Sequence, residues 1–486
     1  MRLLPLMLSA ITVVISTVLI WPQGANGQTR PNIVLILADD LDRAIPAFRP
    51  PIMPNLATGI VQAGASFSNA FVNVPLCAPS RATLLTGRYA HNTRILRNGP
   101  NSGSFTAFHS NGGEASTIAT WLRQAGYETA LFGKYLNRYP DTVAQTFVPP
   151  GWSDWAVPVQ GSLSGQYLLN ENGTLITRDG AADDYFTDVL AAKSLSFIGR
   201  AVTAGKPFFL MVAPTAPHAP ATPAPRHSTL FGDRTAPRPE SFNEADITDK
   251  PPFLRLPPIS ASRLGAINAV YRNRLRSLQA VDEALLAIFQ RVKALGQLGR
   301  TYFVLTADNG YHLGQHRMTD STGGGKETMY DEDLRVPLFV RGPNIPAGLD
   351  VTHLVTLADL APTFAAWAGV RPGRTVDGRS LVPLLSDTPP ETWRQSIPIA
   401  HWAPVGQPAT NASQDFVGVR TAHHAYVRYP RFGLRDLYDV RADPNQLHNL
   451  AAVANSSVGD ALDTLTTALS TCSGETCRSL ENSAVP

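Results

Sequence analysis

The chain has 486 residues, more than one ordinary domain, so it can bury a large core and carry a smaller second unit. Hydrophobic residues make up 44% and charged residues 16%, which excludes a disordered chain. The 41 basic and 38 acidic residues leave a net charge of +3, which gives no reason to expect nucleic acid as a partner.

At the N-terminus, Arg2 precedes an apolar run from Leu3 to Ile20, then Trp21, Pro22 and the small-residue stretch Ala25-Asn26-Gly27. This pattern predicts a signal peptide over 1–27, cleaved after Gly27, and an exported protein, secreted or periplasmic, with no stable membrane partner. An uncleaved anchor helix is the alternative. Next comes Asn32-Ile-Val-Leu-Ile-Leu-Ala38, an aliphatic run ending on Asp39-Asp40. It predicts a buried strand that delivers two carboxylates at its C-terminal end. Helices are expected over 116–125, 184–199 and 267–295. Two more apolar runs predict strands: 207–214, ending near His218, and 301–307, ending on Asp308-Asn309-Gly310. The proline-rich stretch 216–258 reads as a long surface excursion beside a cleft. Strands alternating with helices imply an α/β sheet, and such sheets bind ligands beyond the carboxyl ends of their strands. After residue 385 the pattern changes to short antiparallel strands, 416–420 and 425–429, and a helix over 459–469. The expected units are therefore 28–385 and 386–486.

Only three cysteines occur: Cys77, Cys472 and Cys477. The last two are close enough to form a small disulfide loop in an oxidising compartment, which leaves Cys77 odd. It stands in Cys77-Ala-Pro-Ser-Arg81, followed by Leu85-Thr-Gly-Arg88. This pattern resembles the signature of the formylglycine-dependent sulfatases, in which the cysteine becomes an aldehyde, 3-oxoalanine. Hydrated, that aldehyde attacks sulfur with one hydroxyl and expels sulfate through the other, a covalent route with a built-in exit. Arg81 then stabilises the diol.

Further elements recur in the same order. Asp39, Asp40, Asp308 and Asn309 offer only hard oxygen ligands, suited to Ca²⁺ and less to Mg²⁺. The resemblance makes them metal ligands, completed by the modified Cys77. Gly133-Lys134-Tyr-Leu-Asn137 and Gly325-Lys326-Glu327 resemble the two lysine elements that hold the sulfate. Pro217-His218-Ala-Pro220 resembles the histidine element that donates to the leaving oxygen. The Tyr-Leu-Asn form looks like the N-acetylglucosamine-6-sulfatase and arylsulfatase branch. Many sulfatases have histidine where this chain has Leu136, so the base for sulfate elimination must come from elsewhere. His91, His316 and Asn137 are the candidates, and His312 is a further residue that could face the pocket.

The resemblance implies an alkaline-phosphatase-like fold, a large mixed sheet flanked by helices with a smaller C-terminal antiparallel α+β unit. It implies hydrolysis of an aryl sulfate or a sulfated sugar, after maturation by a formylglycine-generating enzyme. The rivals are a phosphonate or phosphate diester hydrolase of the same superfamily and an unmatured protein that only binds sulfated glycans. Asn172, Asn411 and Asn455 head glycosylation sequons, relevant only in a glycosylating host.

Overall fold

The computed structural model describes residues 30–43, 52–161, 165–319, 325–404, 406, 408–452 and 457–485. The expected signal peptide lies outside them.

Sixteen strands are described: β1 Asn32–Ala38, β2 Ala65–Phe67, β3 Ala70–Phe71, β4 Glu128–Gly133, β5 Asp154–Gly161, β6 Tyr167–Glu171, β7 Thr174–Arg178, β8 Phe208–Ala213, β9 Thr301–Ala307, β10 Leu338–Arg341, β11 Leu349–Val351, β12 Val355–Thr356, β13 Ser396–His401, β14 Phe416–Thr421, β15 His424–Tyr429 and β16 Leu434–Asp439. Ten of them form one mixed sheet in the order β11-β2-β10-β9-β1-β8-β4-β5-β6-β7. The five central strands, β9 to β5, run parallel. All seven residues of β1 are buried, as expected of a strand covered on both faces. Parallel direction puts the C-terminal ends of β1, β4, β8 and β9 at one edge of the sheet. Ala38 pairs with Ala307, so the two acid-tipped strands end level with one another.

The helices follow local signals. Helix α1, Cys77–Thr86, is buried at every position. Pro79 occupies its first turn, where a missing N–H costs nothing. Gly87 ends it with φ +68°, and its N–H donates to the Thr83 carbonyl. A Cβ there would come within 3.1 Å of Val376, so glycine suits both conformation and space. Helix α2, Ile118–Gln124, starts on a capping box between Thr117 and Thr120. Helix α3 spans Phe186–Thr203, and α4 spans Ala261–Ala294. The last begins six residues before the expected start because the Ser260 side chain caps the Arg263 N–H.

The stretch 216–258 has two short 3-10 turns but is not merely superficial: Ala224, Ala236, Phe253 and Leu254 are buried. Strands β13 to β16 form a four-stranded antiparallel sheet, covered by helix α5, Ser457–Leu469. Leu462 and Leu469 of α5 pack with Val419, Tyr426 and Leu437. Ile397, Ile399 and Phe416 of this sheet join the core of the large sheet, so the two sheets share apolar packing. A disulfide ties Cys472 to Cys477, which lies in the first turn of helix α6, Glu475–Glu481.

Candidate active site

Beyond the C-terminal edge of the large sheet, five elements converge. Strand β1 delivers Asp39 and Asp40, β9 delivers Asp308 and Asn309, and β4 runs into Lys134. The loop after β8 brings His218, and α1 presents Cys77 at its first position. Asp40 takes a left-handed backbone, φ 61°, which aspartate tolerates better than most residues.

The charges interlock. Lys134 Nζ lies 2.6 Å from Asp39 Oδ2, and Lys326 Nζ lies 2.7 Å from Asp40 Oδ1 and 3.2 Å from Cys77 Sγ. Arg81 donates from Nε to Asp308 Oδ2 at 2.7 Å and from Nη1 to the Lys134 carbonyl at 2.7 Å. The Cys77 sulfur is 3.7 Å from Asp39 Oδ1. His218 Nδ1 donates to the Ala219 carbonyl, which turns Nε2 toward Asp40, 3.6 Å away.

Three carboxylates, Asp39, Asp40 and Asp308, thus face three cations, Arg81, Lys134 and Lys326. A bound divalent cation would leave this set with two positive charges in surplus, the right sign for an anionic ligand. Burial alone would raise the Asp39 carboxyl, but Lys134 and Arg81 outweigh it and hold it down at about 2. Burial also opposes ionisation of Asp40, yet Lys326 and His218 lower it below the ordinary carboxylate value. Burial pushes the Cys77 thiol up to about 11 despite both lysines. An unaltered Cys77 is therefore a neutral thiol at physiological pH and a poor nucleophile.

The donor set fits a hard divalent cation. Asp39, Asp40, Asp308 and Asn309 offer oxygens only, and the buried Asn309 Oδ1 has no hydrogen-bond partner. Donor atoms of Asp39, Asp40, Cys77 and His218 lie within 4.8 Å of one another. A cleft of about 380 Å³ opens above Asp39, Lys134 and His218, with Asn137 and Tyr185 in its wall.

His91 does not join this cluster. Its Nε2 donates to the Cys472 carbonyl at 2.9 Å, and burial lowers its pKa. Its ring is spent on that carbonyl, and it is not among the residues that line the cleft above Asp39, Lys134 and His218. His316 is buried against Glu244 and stacked on Tyr330, and His312 is held by Thr328 and Asp333. Of the candidates for the elimination step, Asn137 alone lines the cleft.

One residue escaped the sequence reading. Arg274 of α4, 1% exposed, donates to the carbonyls of Asp40 at 2.5 Å and Pro217 at 3.1 Å, and pairs with Asp42 at 3.3 Å. It ties the Asp40 turn to the His218 loop. Its signal was spacing: Ile267, Tyr271, Arg274 and Leu278 follow the 4-3-4 rhythm of a buried stripe.

The family model for sulfatases matches residues 31–370. The chain belongs to the sulfatase family. A second model, the C-terminal part of N-sulphoglucosamine sulphohydrolase, matches 314–472. This sulfatase is 32% identical to the N-acetylglucosamine-6-sulfatase of Homo sapiens, over 93% of this chain and 87% of that one. It is 34% identical to an arylsulfatase of Volvox carteri, over 93% of this chain and 76% of the relative. An extracellular sulfatase of Drosophila melanogaster is 37% identical over 74% of this chain, but the chain spans only 31% of that protein's length. It spans 49% of a second extracellular sulfatase, from Caenorhabditis elegans. Among solved structures, one bound to its substrate D-glucosamine-2-N,6-O-disulfate superposes with a TM-score of 0.72 at 25% identity, covering 90% of this chain and 97% of the other. The phosphonate monoester hydrolase of Silicibacter pomeroyi shares the fold, with a TM-score of 0.68 at 22% identity over 90% of this chain and 94% of the other. These likenesses agree with the expected alkaline-phosphatase-like architecture. No helix of the described residues is long and apolar enough to cross a membrane.

Proposed function

We propose that this sulfatase hydrolyses sulfate monoesters, of a sugar or an aryl alcohol, outside the cytoplasm after cleavage of residues 1–27. The observation that carries the reading is the position of Cys77, at the first turn of α1, 3.2 Å from Lys326 Nζ and beside Asp39. A buried thiol held neutral is a poor nucleophile there, whereas a formylglycine made from it by a maturation enzyme would supply a diol that attacks sulfur and afterwards expels sulfate. Asp39, Asp40, Asp308 and Asn309, with the altered residue 77, would hold a calcium ion, which when bound would polarise the sulfate oxygens and acidify the diol.

The protein's own groups divide the remaining work. Lys134 and Lys326 grip the sulfate oxygens and neutralise charge that develops as the S–O bond lengthens. Arg81, clamped between Asp308 and the Lys134 carbonyl, fixes the ends of β9 and β4 relative to α1. His218, with Nδ1 committed to a carbonyl, presents Nε2 and as imidazolium donates its proton to the leaving alcohol. Asn137 can orient a water or the sulfate but, as an amide, cannot hold the proton of the elimination step.

The test is turnover of a nitrophenyl sulfate by wild type and Cys77→Ala, with intact-mass analysis of the peptide around residue 77. Turnover that depends on residue 77, with a mass showing an aldehyde, is the expected result. Equal rates in both proteins, or full activity with an unaltered thiol, would overturn the proposal.

A further inference from the structure

A second cleft, of about 270 Å³, opens beside the nucleophile and is lined by Leu76, Arg97, Asn98, Glu327, His401 and Trp402. Two of its walls are fastened to the reacting centre. Leu76 precedes Cys77, and Asn98 Oδ1 accepts the Ala78 N–H at 2.9 Å. Glu327 follows Lys326, whose ammonium touches the Cys77 sulfur. The third wall comes from the end of β13 and the residue after it, His401 and Trp402. Trp402 is wedged against the apolar group of Val74, Leu76 and Ala90.

The polar groups here are anchored yet not used up. Glu327 has a left-handed backbone, φ 77°, a strained conformation for a side chain of its size. Its Oε2 accepts from Ser413 Oγ at 2.6 Å and lies 3.5 Å from His401 Nε2, while the side chain keeps 27% exposure toward the cleft. Arg97 donates from Nε to the Trp402 carbonyl at 3.2 Å, which aligns the guanidinium along the cleft wall. Among the described residues no carboxylate pairs with it. A half-buried guanidinium without a counter-ion is poised for an incoming oxyanion, which it can bind through two parallel hydrogen bonds.

An aromatic plane, a carboxylate and a guanidinium around one cleft match a sugar more closely than an aryl group. A sugar ring offers an apolar C–H face, hydroxyl donors and, in sulfated glycans, further anions. We propose that this cleft seats the sugar carrying the scissile sulfate, with Trp402 against the ring, Glu327 accepting from a ring hydroxyl, and Arg97 binding a second oxyanion of the substrate. The inference rests on the sulfatase reading above and adds to it a substrate class: glycans with another anion close to the cleaved ester. That anion is either a sulfate on the same ring or a carboxylate on a neighbouring one.

The experiment measures KM and kcat of the mature enzyme on four compounds: nitrophenyl sulfate, N-acetylglucosamine-6-sulfate, glucosamine-2-N,6-O-disulfate and a glucuronate-linked disaccharide of N-acetylglucosamine-6-sulfate. Wild type should show a KM at least tenfold lower for one doubly anionic sugar than for the singly sulfated one. Preference for the disulfate assigns Arg97 to a sulfate, and preference for the disaccharide assigns it to a carboxylate. In Arg97→Gln that ratio should fall to about one, with kcat moving far less than KM, and Arg97→Lys should restore part of it. Trp402→Ala should raise KM for all three sugars. The ratio is read within each variant, so a variant of lower overall activity still reports. No preference in wild type, an unchanged ratio in Arg97→Gln, or a sugar KM that responds to Tyr185→Ala in the other cleft and not to Trp402→Ala would overturn the assignment. Loss of nitrophenyl sulfate turnover by wild type would instead count against the sulfatase reading itself.

Discussion

Replacing Arg274 by methionine keeps most of the apolar stem and removes the charge. The guanidinium is 1% exposed, donates to two carbonyls on separate loops, pairs with Asp42 and lies 4.4 Å above the Tyr311 ring. Deleting one partner of such a buried pair typically costs about 3–5 kcal/mol, because the remaining polar groups lose their compensation. Taking about 4 kcal/mol, the loss is a large share of the roughly 5–15 kcal/mol that stabilises a typical folded protein. The effect should also reach the site. Arg274 joins the Asp40 turn to the Pro217 carbonyl beside His218, so without it the carboxylate and the imidazole lose their common anchor. Urea unfolding followed by tryptophan fluorescence reads the stability, and a calcium titration by thermal shift reads the ligand cluster. A loss below about 1 kcal/mol with unchanged calcium affinity would refute the reasoning.

Two further outcomes are expected. Calcium added to chelator-treated protein should raise its thermal midpoint, with about 2.7 kcal/mol of stabilisation at a hundredfold excess over Kd, and Asn309→Leu should weaken the response; no shift, or the same shift in the variant, would remove the assigned ligand set. The pH profile should carry the mark of Asp436, a buried residue of β16, whose carboxyl burial pushes up to about 7 although Tyr429 and Asn449 donate to it. Because the folded carboxyl holds its proton more tightly than the unfolded one, the stability it contributes is complete below about pH 4 and lost as pH rises toward 7, about 4 kcal/mol in all. Urea midpoints across that range should therefore fall less steeply in Asp436→Asn, and parallel profiles would contradict the account.

The residues that announce themselves in the sequence are those whose local pattern already contains their geometry. Asp39-Asp40 and Asp308-Asn309 follow uninterrupted aliphatic runs, and runs of that kind become parallel central strands whose ends share an edge. Cys77, Arg81 and Gly87 belong to one short helix and its stop, so their spacing in the chain is their spacing in space. His91 shows the limit of such spacing: its ring nitrogen is held by the Cys472 carbonyl, 381 residues away in the chain, a partner that no local pattern reveals. Arg274 sits among Arg272 and Arg276 and looks like one more surface cation until the periodicity of α4 is followed residue by residue. The wall of the second cleft was beyond local reading. His401 and Trp402 reach this wall because β13 bonds to Asn73, just ahead of α1, through Pro398 and Ala400, a contact across 325 residues that no local pattern encodes.

The burial of α1 bears on when its cysteine can be altered. Cys77 is 0% exposed, and every other residue of its helix is buried as well. Just past that helix, the Tyr89 hydroxyl donates to Glu481, which also pairs with Arg394 and Arg379. That lock joins positions separated by 392 residues and cannot close until residue 481 has left the ribosome. On the proposed maturation, an enzyme that takes this sulfur into its own pocket would have to meet a chain that is still open. Synthesis order would supply the interval: the thiol emerges early, and the partner that closes the lock just past its helix arrives about four hundred residues later.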